Sequence, residues 1–250
     1  MTSTLNDRCF HCSDDINEAG HCQSCIVHDL AMCAPLGDQE LAELEILKLR
    51  QTYPSGAMIF QEGRYRKKVY TVVSGAVRLV KTLNDGRRCI TGFAFPGDFL
   101  GFTDTGTHIL TAETLTPVVV CAFDRESVDL FFRKHISVRD RFLAMAKAEL
   151  QRSYENQLIL SRLAPVEKIA RFLYDLMQRM ENSRLKSSPL KLLMNRTDIA
   201  DHLGLTIETV SRCFSKLKVQ GVIKLVSVNQ VEIVNRAALK RIAVIGDDVE

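Results

Sequence analysis

Five of the chain's eight cysteines fall within its first 33 residues, at Cys9, Cys12, Cys22, Cys25 and Cys33. The segment that carries them, DRCFHCSDDINEAGHCQSCIVHDLAMCAP, has almost no apolar periodicity. It is therefore expected to be ordered by a disulfide framework or by a metal rather than by a core of its own. Two Cys-x2-Cys pairs, Cys9 with Cys12 and Cys22 with Cys25, have the spacing of a small zinc knuckle. His11, His21 and His28 lie among them without a two-histidine zinc spacing and read as loop residues.

A second stretch with chemistry in it runs from Asn195 to Ile223. Thr197 is suited to cap a first helix whose Ile199, Ala200 and Leu203 face inward. Gly204 permits a tight turn, and Thr206 caps a second helix with Val210, Phe214 and Leu217 as its buried stripe. Glu208, Ser211, Arg212 and Ser215 then share an outward face near the start of that helix. A reader of the DNA major groove needs this: arginine suits guanine N7 and O6, and a carboxylate accepts from the cytosine amine. Lys216 and Lys218 are placed to meet phosphates, which position without reading sequence. Val222–Leu225 and Val231–Val234, joined through Ser227-Val-Asn-Gln, supply the hairpin of a winged helix.

The elements that must hold these groups are also readable. Leu41, Leu44, Ile46, Leu47 and Leu49 predict a short amphipathic helix from about Leu36 to Arg50. Between Tyr53 and Phe123, β-rich runs alternate with the turns Ser74-Gly75, Asn84-Asp85-Gly86 and Pro96-Gly97-Asp98, which argues for an antiparallel barrel or sandwich. Cys89 lies in one such run and reads as a small apolar filler. Ser137 to Leu163 contains no Gly or Pro and predicts one helix of roughly 40 Å, broken by Ala164-Pro165 before the next, which runs to about Met180. Leu143, Ala146, Leu150, Ser153, Gln157 and Leu160 form a heptad seam diluted by small and polar members, expected to pair with a second copy of the chain. Residues 181–190 are polar and loop-like.

Charge is distributed unevenly. Residues 1–50 hold 3 Lys and Arg against 9 Asp and Glu, a net of −6. Residues 161–240 hold 14 against 7, a net of +7. A basic C-terminal part fits nucleic-acid binding. No signal peptide and no run of about 18 apolar residues is present, so a cytoplasmic protein with no membrane partner is expected, in which clustered thiols bind metal. No nucleophile–base pair, P-loop or glycine-rich cofactor fingerprint appears, which speaks against an enzyme.

Gly-Asp-Phe-Leu-Gly (97–101), the long helix ending before Ala164-Pro165, and Leu-Gly-Leu-Thr-Ile-Glu-Thr-Val-Ser-Arg (203–212) stand in the order found in the CRP/FNR family of transcription regulators. The chain resembles that family over essentially its whole length, and most closely its FNR-type branch with FnrN- and FixK-like members. The resemblance implies an α+β fold: an N-terminal antiparallel β-barrel of the cyclic-nucleotide-binding jelly-roll kind, a long dimerisation helix and a C-terminal winged helix-turn-helix. The corresponding parts are a cysteine-rich cluster-binding arm (1–35), the barrel (36–135), the dimerisation helix (136–164), the DNA-binding domain (165–240) and a tail (241–250).

It further implies that Glu208, Ser211 and Arg212 read a TTGAT-type half-site. Cys22, Cys25 and Cys33, with Cys121 from the barrel, become ligands of an oxygen-labile [4Fe–4S] cluster. A zinc site, or no metal, in a cluster-free FixK-like dimer is the alternative. Cyclic nucleotide is not expected, because residues 101–112 lack the family's phosphate-holding arginine and Asp104 would repel a phosphate. The implied mechanism is a homodimer that forms at low oxygen, binds palindromic DNA and recruits RNA polymerase, as an activator of anaerobic genes. Relatives place an acid on the dimer helix where this chain has Ser153, with Glu149 and Glu155 off the seam.

Overall fold

Period-two alternation organises the first half of the chain. A computed structural model describes residues 21–102, 106–182 and 188–244. Cys9, His11, Cys12 and Asp104 lie outside the described residues. The chain divides into two compact units, Met1–Gln151 and Arg152–Glu250.

In the first unit, eight strands form two antiparallel sheets. Strands β1 (Lys48–Tyr53), β8 (Val118–Asp124), β3 (Lys68–Ser74) and β6 (Phe99–Leu100) pair in that order. Strands β2 (Met58–Phe60), β7 (Thr111–Thr114), β4 (Val77–Thr82) and β5 (Arg88–Ala94) form the other sheet. Between the sheets lie Tyr70, Val72, Val118, Val120 and Ala122 from one side, with Ile59, Val77, Ala94 and Ala112 from the other. The intervening residues of β3 and β8 (Val69, Thr71, Val73, Val119, Cys121 and Phe123) point to the opposite face of their sheet, because successive side chains alternate.

That outer face is covered by α1 (Asp38–Leu47), α2 (Arg125–Lys134), the start of α3 (Ile136–Arg162) and the segment 21–36. Two expectations change here. The first helix does not reach Arg50; it stops at Leu47, because Lys48 to Tyr53 pair with β8 residue for residue, from Lys48 opposite Phe123 to Tyr53 opposite Val118. Ile46 and Leu49, counted as its apolar face, are exposed. The cysteine-bearing segment also has a core after all: Val27, Ala31, Met32 and Leu36 are each at most 6% exposed. Their spacing is irregular because the segment runs through short 3₁₀ turns at Cys22–Ser24 and His28–Leu30 rather than one helix or strand. Cys89 on β5 is exposed, so it does not fill the interior; it lies on the solvent side of the strand.

The second unit contains the end of α3, then α4 (Pro165–Asn182), α5 (Arg196–Leu203), α6 (Ile207–Val219) and α7 (Arg236–Ile242). Strands β10 (Ile223–Ser227) and β11 (Gln230–Ile233) form the expected hairpin. A third strand, β9 (Leu190–Lys191), pairs with β11 inside the stretch read as loop-like, and Leu190 is fully buried. The α+β architecture is that of a jelly-roll-like sandwich, a long helix and a winged helix-turn-helix. Among the described residues, no helix is long and apolar enough to cross a membrane.

Candidate metal centre and nucleic-acid interface

The outer face of the β1–β8–β3–β6 sheet carries a pocket in which Cys22, Cys25, Cys33 and Cys121 all take part. Cys121 reaches it from the centre of the sheet, paired with Arg50 on one side and Thr71 on the other. The arm contributes the other three thiols together with Val27, Ala31 and Met32. Thr71, Val73 and Phe123 form the sheet wall, and Leu44 and Lys48 close it from α1 and β1. None of the four cysteines is in a disulfide.

Burial sets the thiols' chemistry. It pushes the Cys33 thiol up to about 12, reinforced by Cys25 and Cys22 nearby. It pushes Cys121 up to about 11, with Cys25 again adding to the effect. Cys22 is also raised by burial, against the pull of Lys48. Thiols that burial and one another keep protonated become thiolates when a metal centre supplies the compensating positive charge. Among the described residues, no three His, Cys, Asp or Glu side chains already stand as a metal-holding group. The donor set is nevertheless all sulfur, with neither carboxylate nor imidazole lining the pocket, which suits an iron–sulfur cluster or zinc.

A small polar network fixes the arm's first turn. Lys48 Nζ donates to Cys22 Sγ at 3.5 Å and lies 3.7 Å from Glu45 Oε1. The Cys22 amide donates to Glu45 Oε2 at 3.2 Å, and His21 Nδ1 lies 3.1 Å from Glu45 Oε1. Sequence reasoning missed Lys48 and Thr71, which the β1–β8–β3 register reveals, and Glu45, which the last turn of α1 brings to the arm. Further along the arm, Arg141 of α3 donates to the carbonyls of Asp29 and Leu30, each at 3.4 Å. Gly97, with φ +95°, leaves room for Leu30: a Cβ on it would lie 2.6 Å from the Leu30 Cβ.

The helix pair α5–α6 is built as its sequence suggests, with one change of cap. Asn195, not Thr197, caps α5: its side chain accepts from the Asp198 amide at 2.8 Å, while Asp198 accepts from the Asn195 amide at 3.0 Å. This reciprocal box starts the helix one residue before Thr197, which is exposed in its first turn. Gly204 takes the left-handed conformation that ends α5. Thr206 caps α6, accepting from the Thr209 amide at 3.2 Å. Ile199, Ala200, Leu203, Val210, Phe214 and Leu217 are buried as expected.

Glu208, Ser211, Arg212, Ser215, Lys216 and Lys218 are exposed. Glu208 is held below the usual carboxylate range by backbone and Thr206 hydrogen bonds and by Arg212. Ser215 Oγ donates back to the Ser211 carbonyl at 3.1 Å. Cys213 is buried, which places its thiol away from the exposed face. The Arg196 guanidinium stacks on the Phe214 ring, 3.3 Å from its centroid, tying α5 to α6.

On α3 the seam residues Leu143, Ala146, Leu150, Ser153, Gln157 and Leu160 are all exposed, as are Tyr154 and Leu158 beside them. Elsewhere in the barrel, Arg66 is 3% exposed and donates to the Gly101 carbonyl, and His108 stacks on Phe60 at 4.0 Å. Burial, then Arg66, lowers the His108 pKa. Arg66 lies outside the 101–112 stretch, where an arginine was looked for.

The Crp-like helix-turn-helix domain family matches residues 167–242, and the cyclic nucleotide-binding domain family matches residues 50–135. The nitrogen fixation regulation protein FixK of Bradyrhizobium diazoefficiens is 39% identical over 212 residues, covering 84% of this chain and 90% of that one. The transcriptional activator protein FnrL of Cereibacter sphaeroides is 35% identical over 231 residues, covering 91% and 92%. The solved structure of FixK2 from Bradyrhizobium japonicum superposes with a TM-score of 0.73 at 33% identity, covering 80% of this chain and 99% of that one.

Proposed function

The chain belongs to the CRP/FNR family and is a DNA-binding transcription regulator of its FNR/FixK type, and from that premise we propose that it responds to oxygen through a [4Fe–4S] cluster held by Cys22, Cys25, Cys33 and Cys121. One observation supports this most: three arm thiols and one thiol from the middle of a sheet, far apart in sequence, line a single pocket. When bound, such a cluster supplies an oxygen-labile cross-link between arm and barrel.

The remaining steps belong to the protein. Arg141 ties the arm's carbonyls to α3, so the long helix is sensitive to where the arm lies. Pairing of two α3 seams, from Leu143 to Leu160, presents two copies of α6 about one DNA turn apart. Glu208, Ser211 and Arg212 read a TTGAT-type half-site, while Thr197, Thr206, Ser215, Lys216 and Lys218 hold the helix on the groove. The DNA-bound dimer recruits RNA polymerase in the cytoplasm at genes of low-oxygen metabolism. In this reading the functional parts are the arm (1–35), barrel (36–135), dimer helix (136–164) and DNA-binding domain (165–240).

Iron and sulfide assay of anaerobically purified protein, with its visible spectrum, tests the cluster; one zinc and no iron overturns it. Gel shift on a TTGAT palindrome tests the DNA reading, and repeating it in air tests the switch. Cys25→Ser is expected to abolish oxygen-dependent control. An equal shift with and without air instead favours the cluster-free, constitutively dimeric FixK-like reading, which the high identity to a FixK protein supports.

A further inference from the structure

Two hydrogen-bond donors in the cysteine pocket have no part in that scheme. Thr71 stands across the β3–β8 pairing from Cys121, on the same outer face of the sheet. It is 5% exposed, and among the described residues its buried Oγ1 has no hydrogen-bond partner. A dry hydroxyl left unsatisfied is unfavourable, so its retention points to an acceptor in the pocket. Lys48 enters from β1 with a side chain only 10% exposed and donates to Cys22 Sγ. Every other side chain lining the pocket is a thiol or apolar. Glu45 stands behind Lys48 as the opposing charge, and Arg50, paired with Cys121, is the next cation along the strand.

We propose that Thr71 and Lys48 are positioning residues that donate hydrogen bonds to the sulfur atoms of the cluster and thereby set its reduction potential and its lifetime in air. The inference rests on the cluster reading above. A cluster ligated by four thiolates is anionic, and donors or cations beside its sulfurs favour the electron-richer state. Removing either donor therefore lowers the potential and hastens oxidative loss. Neutralising Glu45 removes a negative charge and acts in the opposite direction. A purely structural role for these side chains would move all three variants the same way.

The test uses the full chain, reconstituted without air from ferrous iron and sulfide. The readouts are iron and sulfide content, potential by mediated titration, and decay of the visible band after air is admitted. Lys48→Met is expected to load like the parent and to lose its band on the order of tenfold faster. Its potential is expected to fall by about 59 mV, a tenfold change in the reduction equilibrium constant of a one-electron couple. Thr71→Val shifts in the same direction by less, while the metal-free protein is as stable as the parent or more so, because an unsatisfied hydroxyl has been replaced by a methyl. Lys48→Arg keeps the parental lifetime, and Glu45→Gln lengthens it.

Parental decay and potential in both Lys48→Met and Thr71→Val overturn the inference while leaving the cluster reading intact. So does a Glu45→Gln shift in the same direction as Lys48→Met. A folded Lys48→Met protein that takes up no iron also overturns it, since the side chain then serves assembly. A parent protein that takes up no iron overturns the cluster reading itself, and the donor roles with it.

Discussion

Lys168 offers a quantitative test of how the DNA-binding unit is held together. It is 8% exposed, and its Nζ donates to the carbonyls of Leu160 and Leu203, both at 3.2 Å. Those carbonyls lie in the last turns of α3 and α5, where helix carbonyls have no intrahelical donor and where backbone dipoles favour a cation. One ammonium thus caps two helix ends. Each charge-assisted bond is worth about 1.5–3 kcal/mol, or about 3–6 kcal/mol for the pair, offset by the several kcal/mol it costs to keep the ion dry. Lys168→Met should therefore destabilise the unit by about 2 kcal/mol. For a unit of this size the thermal midpoint falls by about 8–16 °C, read by far-UV circular dichroism on the full chain. Lys168→Gln, which retains one neutral donor, should fall between the two. A Met variant within about 0.5 kcal/mol of the parent would refute the argument, because solvent or relaxation would then satisfy both carbonyls.

Four further outcomes are expected. Arg212→Ala should weaken binding to the proposed site by about 1–3 kcal/mol and relax base preference at one position. Lys216→Ala or Lys218→Ala should instead weaken all sequences alike and reduce the salt slope by about one, as measured by fluorescence anisotropy across salt concentrations. Gly97→Ala places a Cβ against Leu30 in a left-handed conformation, and should cost about 1–3 kcal/mol in thermal unfolding and loosen the arm to limited proteolysis. For Glu113, burial raises the pKa, but hydrogen bonds from Arg78 and Arg88 outweigh it and hold the carboxylate below its ordinary value. Its contribution is present above the usual glutamate range and is lost as pH falls through the folded value. Glu113→Gln should therefore flatten the acid limb of a stability–pH curve.

The parts of the molecule that were legible in the sequence are those whose determinants are local. The 27 residues of α3 contain no helix breaker, and Ala164-Pro165 marks their end. The second helix of the helix-turn-helix, α6, shows its cap, its buried stripe and its polar face within a dozen residues. The arm's packing was illegible because its partners come from elsewhere: Val27 packs against Val73 and Val119, and Met32 and Leu36 join a cluster with Leu44 and Phe123. Pairing with β8 likewise takes residues 48–50 away from the amphipathic helix that Leu49 suggests. The polar side chains of the cysteine pocket depend on register, since Thr71 and Lys48 acquire meaning only beside Cys121 and Cys22. Asn195 and Thr197 are both residue types that can cap, and the reciprocal bond with Asp198 decides for Asn195.

The buried apolar residues of the arm limit the amplitude of any signal sent through it. Val27, Ala31, Met32 and Leu36 hold the segment against the sheet by apolar burial alone, whatever the thiols bind. Their burial contributes on the order of 5 kcal/mol before the cost of ordering the chain is subtracted. A ligand shifts the docked population only by what it adds to that resting bias. A strong bias leaves a dimmer with a high floor; a weak one leaves a steep switch that needs its ligand to close. Trimming Met32 or Val27 would lower the floor, and enlarging Ala31 without a clash would raise it. The gain of the proposed switch is thus set by the apolar side chains around the thiols as much as by the thiols themselves.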